Sequence, residues 1–136
     1  MENLQSSEIV KKFIHDEFPA FETVIDTIEV DEKSSRFKIK NISDLLSIRQ
    51  TGAGIEQLMC LLIDLSTRLC AYNSTGSSHI NSENIVYLSA PEGKEFIVST
   101  SRMETSLAES ALTYQSTVLD EKGTEIVLST ANQIIE

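Results

Sequence analysis

The sequence has little of what nucleic-acid-binding, disulfide-rich and metal-binding proteins need. Its 136 residues include 11 Lys and Arg against 21 Asp and Glu, a formal net charge of −10, whereas phosphate binding depends on clustered basic side chains. There is no Trp, and there are only five Gly, two Pro, two Cys and two His. Neither His15 nor His79 has a Cys or His at metal-ligand spacing. We therefore expect no nucleic-acid partner, no metal site and no cofactor, and we expect both histidines at the surface.

Long apolar runs are also missing. The longest, residues 58–63, is far shorter than the roughly 20 residues that a membrane-spanning helix needs, so we expect no membrane partner. The first residues show no basic start followed by an apolar run, and we expect no signal peptide. Cys60 and Cys70 fall in one predicted helix, about 15 Å apart and too distant for a disulfide. Together these features predict a cytoplasmic protein.

The apolar residues that are present predict a single domain over residues 1–136. Hydrophobic types make up 40% of the chain, enough for a core of ordinary size. Residues 7–17 predict a short amphipathic helix, capped by Ser6 or Ser7 and ended by Phe18-Pro19. Two strands are predicted after it, at 23–31 and 35–40, followed by an irregular loop at 41–53.

The most informative element is a predicted helix over residues 54–72. It is apolar around most of its circumference, which is typical of a buried helix, and it is roughly 28 Å long. The rest of the chain predicts four strands, at 79–89, 95–105, 108–119 and 125–134, with turns at 91–93 and 120–123. This order predicts an α+β fold in which a curved six-stranded antiparallel sheet wraps around one long central helix.

Asp64 interrupts the apolar pattern of the predicted helix. An isolated buried carboxylate is costly, so Asp64 must be paired, hydrated or placed at a cleft. Two interpretations follow: a catalytic carboxylate, or an ion pair with Arg68 one turn later. Glu56, Cys60, Asp64 and Arg68 recur every four residues and predict a single polar stripe.

The start of this helix is a second candidate region. Gly52 and Gly54 would let the backbone approach a ligand closely, and the first-turn amides of Glu56 and Gln57 offer unpaired N–H groups at the positive end of the helix dipole. Glu56 is also the alternative catalytic carboxylate, or simply an acid that complements the helix dipole. Arg49 could bind a phosphate or a substrate carboxylate, or could neutralise a nearby acid.

One run of residues resembles a known family. A strand ends at Tyr87-Leu88, a Pro-x-Gly turn follows at 91–93, and two long strands then meet at an Asp-x-x-Gly hairpin at 120–123. Upstream, Arg49, the glycine turn at Gly52 and the helix carboxylate Asp64 match a family pattern without gaps. Over about residues 18–136 the chain resembles the hotdog-fold acyl-CoA thioesterases of the phenylacetate-degradation (PaaI-like) type.

The resemblance implies the hotdog fold and hydrolysis of an acyl-CoA or related acyl thioester. It implies that Asp64 activates water or attacks the carbonyl. In that reaction the amides of Glu56 and Gln57 would hold the oxyanion, and the backbone at Gly52 and Gly54 would approach the acyl group. The resemblance places a polar residue that orients water at Thr67, although a helix Thr often bonds back to its own backbone instead. It also implies a homodimer or homotetramer, with the thioester channel at the interface between subunits.

The sequence departs from the family pattern at two places. Ile55-Glu56-Gln57 stands where the family has His-Gly-Gly or Ser-Gly-Pro, and residues 105–109 lack the basic run expected near the CoA phosphates. These departures motivate an alternative function: a non-catalytic hotdog module that binds an acyl ligand or serves in assembly.

Overall fold

A computed structural model describes residues 2–31, 33–40, 54–89, 94–103 and 111–134 of the chain. Its elements, in chain order, are helix α1 (Glu2–Glu17), a 3₁₀ turn (Pro19–Phe21), strands β1 (Ile25–Val30) and β2 (Ser34–Ile39), helix α2 (Gly54–Thr75), and strands β3 (Ser82–Tyr87), β4 (Phe96–Arg102), β5 (Ala111–Leu119) and β6 (Glu125–Ile134). The predicted loop at 41–53 and the predicted turn at 91–93 lie outside the described residues.

The six strands form one sheet in the order β1-β2-β4-β5-β6-β3, and every neighbouring pair is antiparallel. Strands β1 and β3 are therefore the two edges. Helix α2 packs against β2, β4, β5 and β6. The predicted α+β fold, a six-stranded antiparallel sheet around one long helix, is confirmed.

Helix boundaries differ from the predicted ones at both helices. Helix α1 begins at Glu2 instead of residue 7, because the added residues include good helix formers, so Ser6 and Ser7 lie inside the helix and do not cap it. Helix α2 continues to Thr75, and Gly76 follows it with φ +84° and donates its N–H to the Tyr72 carbonyl at 2.8 Å. A glycine accepts this left-handed conformation without strain.

Helix α2 is buried on all sides but one. Its buried apolar side chains are Leu58, Met59, Leu62, Ile63, Leu65, Leu69, Cys70 and Ala71. Helix α1 covers part of it, and the Phe13 ring stacks on Tyr72 with centroids 5.4 Å apart. Neither α1 nor α2 is both long and apolar enough to cross a membrane.

Buried hydroxyl groups fix how α2 is rotated on the sheet. Ser66 Oγ lies 2.6 Å from Thr100 Oγ1 on β4 and 3.1 Å from Ser35 Oγ on β2. Thr67 Oγ1 lies 2.9 Å from Ser116 Oγ on β5. Since residues two apart on a helix point about 200° apart, a helix that turns Ser66 toward the sheet turns Asp64 away from it.

Candidate active site

Asp64 opens onto a cleft of about 340 Å³ on the outer side of α2. Asp64 and Arg68 of α2 form one wall of the cleft. The segment that leads from α2 to β3 forms the opposite wall, through Ser77, Ser78, His79 and Ile80. A larger cavity of about 710 Å³ lies against β1, β2 and β4. We place the candidate site in the smaller cleft because it contains the helix carboxylate.

Arg68 is the cation of this cleft. Its Nη1 lies 3.7 Å from Asp64 Oδ2, and its Nη2 lies 3.1 Å from Glu17 Oε1 on α1. Its Nε donates to the Ser78 carbonyl at 3.4 Å, and the guanidinium sits 5.3 Å from the centre of the Phe18 ring. The predicted pair between Asp64 and Arg68 is confirmed, and Arg68 also ties α1 and the segment before β3 to α2.

Burial makes the Asp64 carboxyl a weaker acid than an exposed aspartate. Partial burial raises the pKa of its carboxyl, and the nearby Arg68 charge opposes that rise without cancelling it. A carboxylate with a raised pKa holds a proton more strongly once it has taken one. The arrangement therefore suits proton abstraction better than a fully exposed aspartate would.

Glu83 lies on the edge strand β3, on the side of the strand that is turned toward α2. Glu83 is the direct partner of Ala131 on β6, and Ala131 is buried in a cluster with Cys70 and Ala71 of α2. Cross-strand partners lie on the same face of a sheet, so Glu83 points toward α2. Further along β3, Tyr87 Oη lies 2.7 Å from Cys60 Sγ.

The predicted polar stripe on α2 is thus matched by polar groups around it. Cys60 meets Tyr87, Asp64 interacts with Glu83, and Arg68 meets the backbone of the segment before β3. Glu56, the remaining member of the predicted stripe, lies in the first turn of α2. The side chains of that turn are outside the described part of the structure.

Glu83 is a functional candidate that the sequence analysis missed. It is half-buried, and no hydrogen bond or ion pair reaches its side chain from the residues that the structure describes. Burial, and after it the negative charge of Asp64, raises the pKa of Glu83 to about 7. Strand alternation could have identified it, because Glu83, Ile85 and Tyr87 are alternate residues and therefore point to the same face of β3.

We expect Glu83→Gln to make stability less dependent on pH. The pKa of Glu83 is about 7 in the folded chain against 4.5 as an isolated group, so its contribution is fully present below pH 4.5 and is lost as the pH rises to about 7. Solvent screens a half-exposed carboxyl, so the variant should gain about 1 kcal/mol over wild type at pH 8 and nothing at pH 4. Urea unfolding at both pH values measures this.

Glu125→Gln is the matched control, because Glu125 is exposed at the start of the neighbouring strand β6. Its effect should be the same at pH 4 and pH 8. If the free energy of unfolding depends equally on pH in wild type and Glu83→Gln, the raised pKa of Glu83 is contradicted.

The other predicted site residues are placed differently. Thr67 is fully buried and bonded to Ser116, so the structure does not bring it to the cleft. Gly54 begins α2, and Gln57 lies in its first turn. Arg49 and Gly52 lie outside the described residues. Both histidines are exposed as expected, but His79 lines the cleft.

Solved structures share this architecture over nearly the whole chain. Thioesterase superfamily member 2 from Mus musculus matches with a TM-score of 0.74 and 13% identity, over 100% of this chain and 98% of that one. The PaaI protein of the Escherichia coli phenylacetic acid degradation operon matches with a TM-score of 0.69 and 10% identity, over 97% and 94%. The chain has the hotdog fold.

A further hotdog structure contains coenzyme A. It is a hypothetical thioesterase from Streptococcus pneumoniae, with a TM-score of 0.69 and 14% identity, covering 93% of this chain and 96% of that one. No family model and no curated protein matches the sequence. The predicted resemblance to hotdog-fold thioesterases, PaaI among them, is confirmed at the level of the fold.

Proposed function

We propose that this hotdog protein hydrolyses an acyl-CoA-type thioester, with Asp64 as the carboxylate that activates water or attacks the carbonyl. The observation that carries the proposal is the position of Asp64. It is a carboxylate on the central helix, 38% exposed and open to a cleft, and its pKa is raised by burial. The coenzyme A bound to the similar Streptococcus pneumoniae structure supports the choice of carrier.

Hydrolysis also needs donors for the oxyanion that forms on the carbonyl. The first-turn amides of α2, at Glu56 and Gln57, are our candidates, because a helix N-terminus has free N–H groups and a positive dipole end. Gln57 and Asp64 are seven residues apart, or about 10 Å along a helix axis. A reacting carbonyl must lie about 3 Å from both groups. We therefore propose that each site combines Asp64 of one copy with the first-turn amides of α2 from a second copy, which hold the oxyanion.

The edge strand β3 is the surface that we propose for that second copy. One side of β3 pairs with β6, and no strand among the described residues pairs with its other side. Val86 and Leu88 are 44% and 49% exposed. Exposed edges of this kind pair readily with another strand, which supports a homodimer, alone or as half of a homotetramer.

A non-catalytic acyl-binding or assembly module is the second candidate. Ile55-Glu56-Gln57 replaces the family triplet at the helix start, and the net charge of −10 repels the CoA diphosphate at long range. We also propose that the protein works in the cytoplasm, which its two free thiols, Cys60 and Cys70, support.

Incubation with short, medium, long and aromatic acyl-CoAs separates the two functions. We expect free CoA and the free acid to accumulate, and mass spectrometry measures both products. A binding module would instead show a rise in melting temperature with an acyl-CoA that stays intact. That second outcome would overturn the enzymatic proposal.

A further inference from the structure

His79 lies on the wall of the cleft opposite Asp64. Asp64 and Arg68 of α2 line one side of the cleft, and residues 77–80 line the other. The volume of the cleft, about 340 Å³, is within the usual range of small-ligand pockets. A thioester group bound in this cleft therefore has the carboxylate on one side and the histidine on the other.

On the basis of the proposed thioester hydrolysis, we propose that His79 is the general acid of the site and donates a proton to the departing sulfur while Asp64 acts as the base. Among the described residues that line the cleft, the titratable ones are Asp64, Arg68 and His79. An arginine side chain does not give up its proton in proteins. Histidine is the side chain that enzymes use most often to transfer a proton, so the acid role falls to His79.

The imidazole of His79 is open to a ligand. The residue is exposed, and no hydrogen bond or ion pair joins its ring to the residues that the structure describes. The other histidine of the chain, His15, is engaged, because its Nδ1 lies 2.9 Å from Glu22 Oε1 on the far side of α1 from residue 2. Both ring nitrogens of His79 are therefore available to a substrate.

The backbone that carries His79 is held from two elements. Arg68 Nε on α2 donates to the Ser78 carbonyl at 3.4 Å. Gln133 Nε2 on β6 donates to the Ser77 carbonyl at 2.8 Å, and the His79 N–H donates to Ser77 Oγ at 3.3 Å. A reacting group on a fixed backbone loses little freedom when it meets its substrate, so this wall suits a catalytic residue.

The proposed steps balance in atoms and charge. Asp64 removes a proton from water as the water oxygen bonds to the carbonyl carbon, which gives a tetrahedral oxyanion. The carbon–sulfur bond then breaks, and the sulfur takes a proton from the His79 imidazolium and leaves as a thiol. Asp64 releases its proton to solvent and the neutral imidazole takes one back, so the net reaction converts a thioester and water into an acid and a thiol.

Leaving-group dependence tests this role. Two thioesters of the same acyl group are compared, one with N-acetylcysteamine and one with thiophenol, whose sulfur leaves readily without protonation. We expect His79→Gln to lower kcat/KM for the alkyl thioester by about 100-fold and for the aryl thioester by less than about threefold. A purely structural role for His79 would lower both equally, and that result, or no loss with either ester, would overturn the inference.

Controls separate this inference from the proposed function. Asp64→Asn should lower kcat/KM for both thioesters, whereas His15→Gln, the matched histidine variant, should change neither. If Asp64→Asn lowers both and Glu83→Gln, in place of His79→Gln, shows the leaving-group dependence, the hydrolase stands and the His79 assignment fails. If wild type cleaves neither these esters nor any acyl-CoA, both proposals fail.

Discussion

Asp64→Asn should lower kcat/KM for thioester hydrolysis by about 1,000-fold, which is within the range for losing a general base. Asparagine matches aspartate in size but takes up no proton from water and is a poor nucleophile. The side chain is 38% exposed at the cleft, so the substitution disturbs little packing. Arg68 keeps its pair with Glu17 at 3.1 Å, and unfolding by urea should confirm that the fold is retained.

The pH profile supplies an independent check on Asp64. A base must be ionised, so kcat/KM should fall tenfold per unit as the pH drops below the pKa of Asp64, which burial raises above 3.8. Asp16→Asn is the matched control, since Asp16 is an exposed residue of α1 and its loss should leave the profile unchanged. An Asp64→Asn variant with wild-type turnover would remove Asp64 from the mechanism.

Two positive charges at the end of β3 and just after it should separate the protomers of the proposed homodimer and lower turnover together. The double variant Val86→Lys with Leu88→Lys replaces two exposed apolar side chains next to the edge of β3 that no described strand covers. Lysines on an edge strand oppose pairing with another strand. Light scattering should give the 15.1 kDa protomer mass, and kcat/KM should fall by about 100-fold or more, because misplaced groups lose catalysis steeply.

Ile9→Lys is the control for this variant. Ile9 is a similarly exposed apolar residue, 46% accessible, but it lies on α1, which contacts β1 at the opposite edge of the sheet. It should leave both mass and turnover unchanged. A double variant that is monomeric yet fully active would show that one protomer holds a complete site.

Local features of the fold were predictable because they depend on neighbouring residues. The apolar pattern of residues 54–72 predicts α2, and the four-residue spacing of Asp64 and Arg68 predicts their pair, since helix geometry alone decides both. The hairpin between β5 and β6 was equally predictable, because Asp120 Oδ1 accepts the N–H of Thr124 at 3.0 Å and Gly123 takes φ +83°.

Features that depend on which elements meet were not predictable. The order of strands places β3 beside β6 at an edge and not beside β4, its successor in the chain. Glu83 comes close enough to Asp64 for that charge to raise its pKa only because β3 turns the Glu83 side chain toward α2. The family resemblance implies a water-orienting residue at Thr67, whereas a buried hydroxyl on β5, Ser116, holds the Thr67 side chain in the interior.

The most direct test of the account is free-thiol release from acyl-CoAs by wild type and Asp64→Asn, assayed side by side at pH 8. The account predicts steady release by wild type on at least one acyl class and about 1,000-fold slower release by the variant. Equal release by the two proteins, or none by wild type on any acyl-CoA, would contradict it.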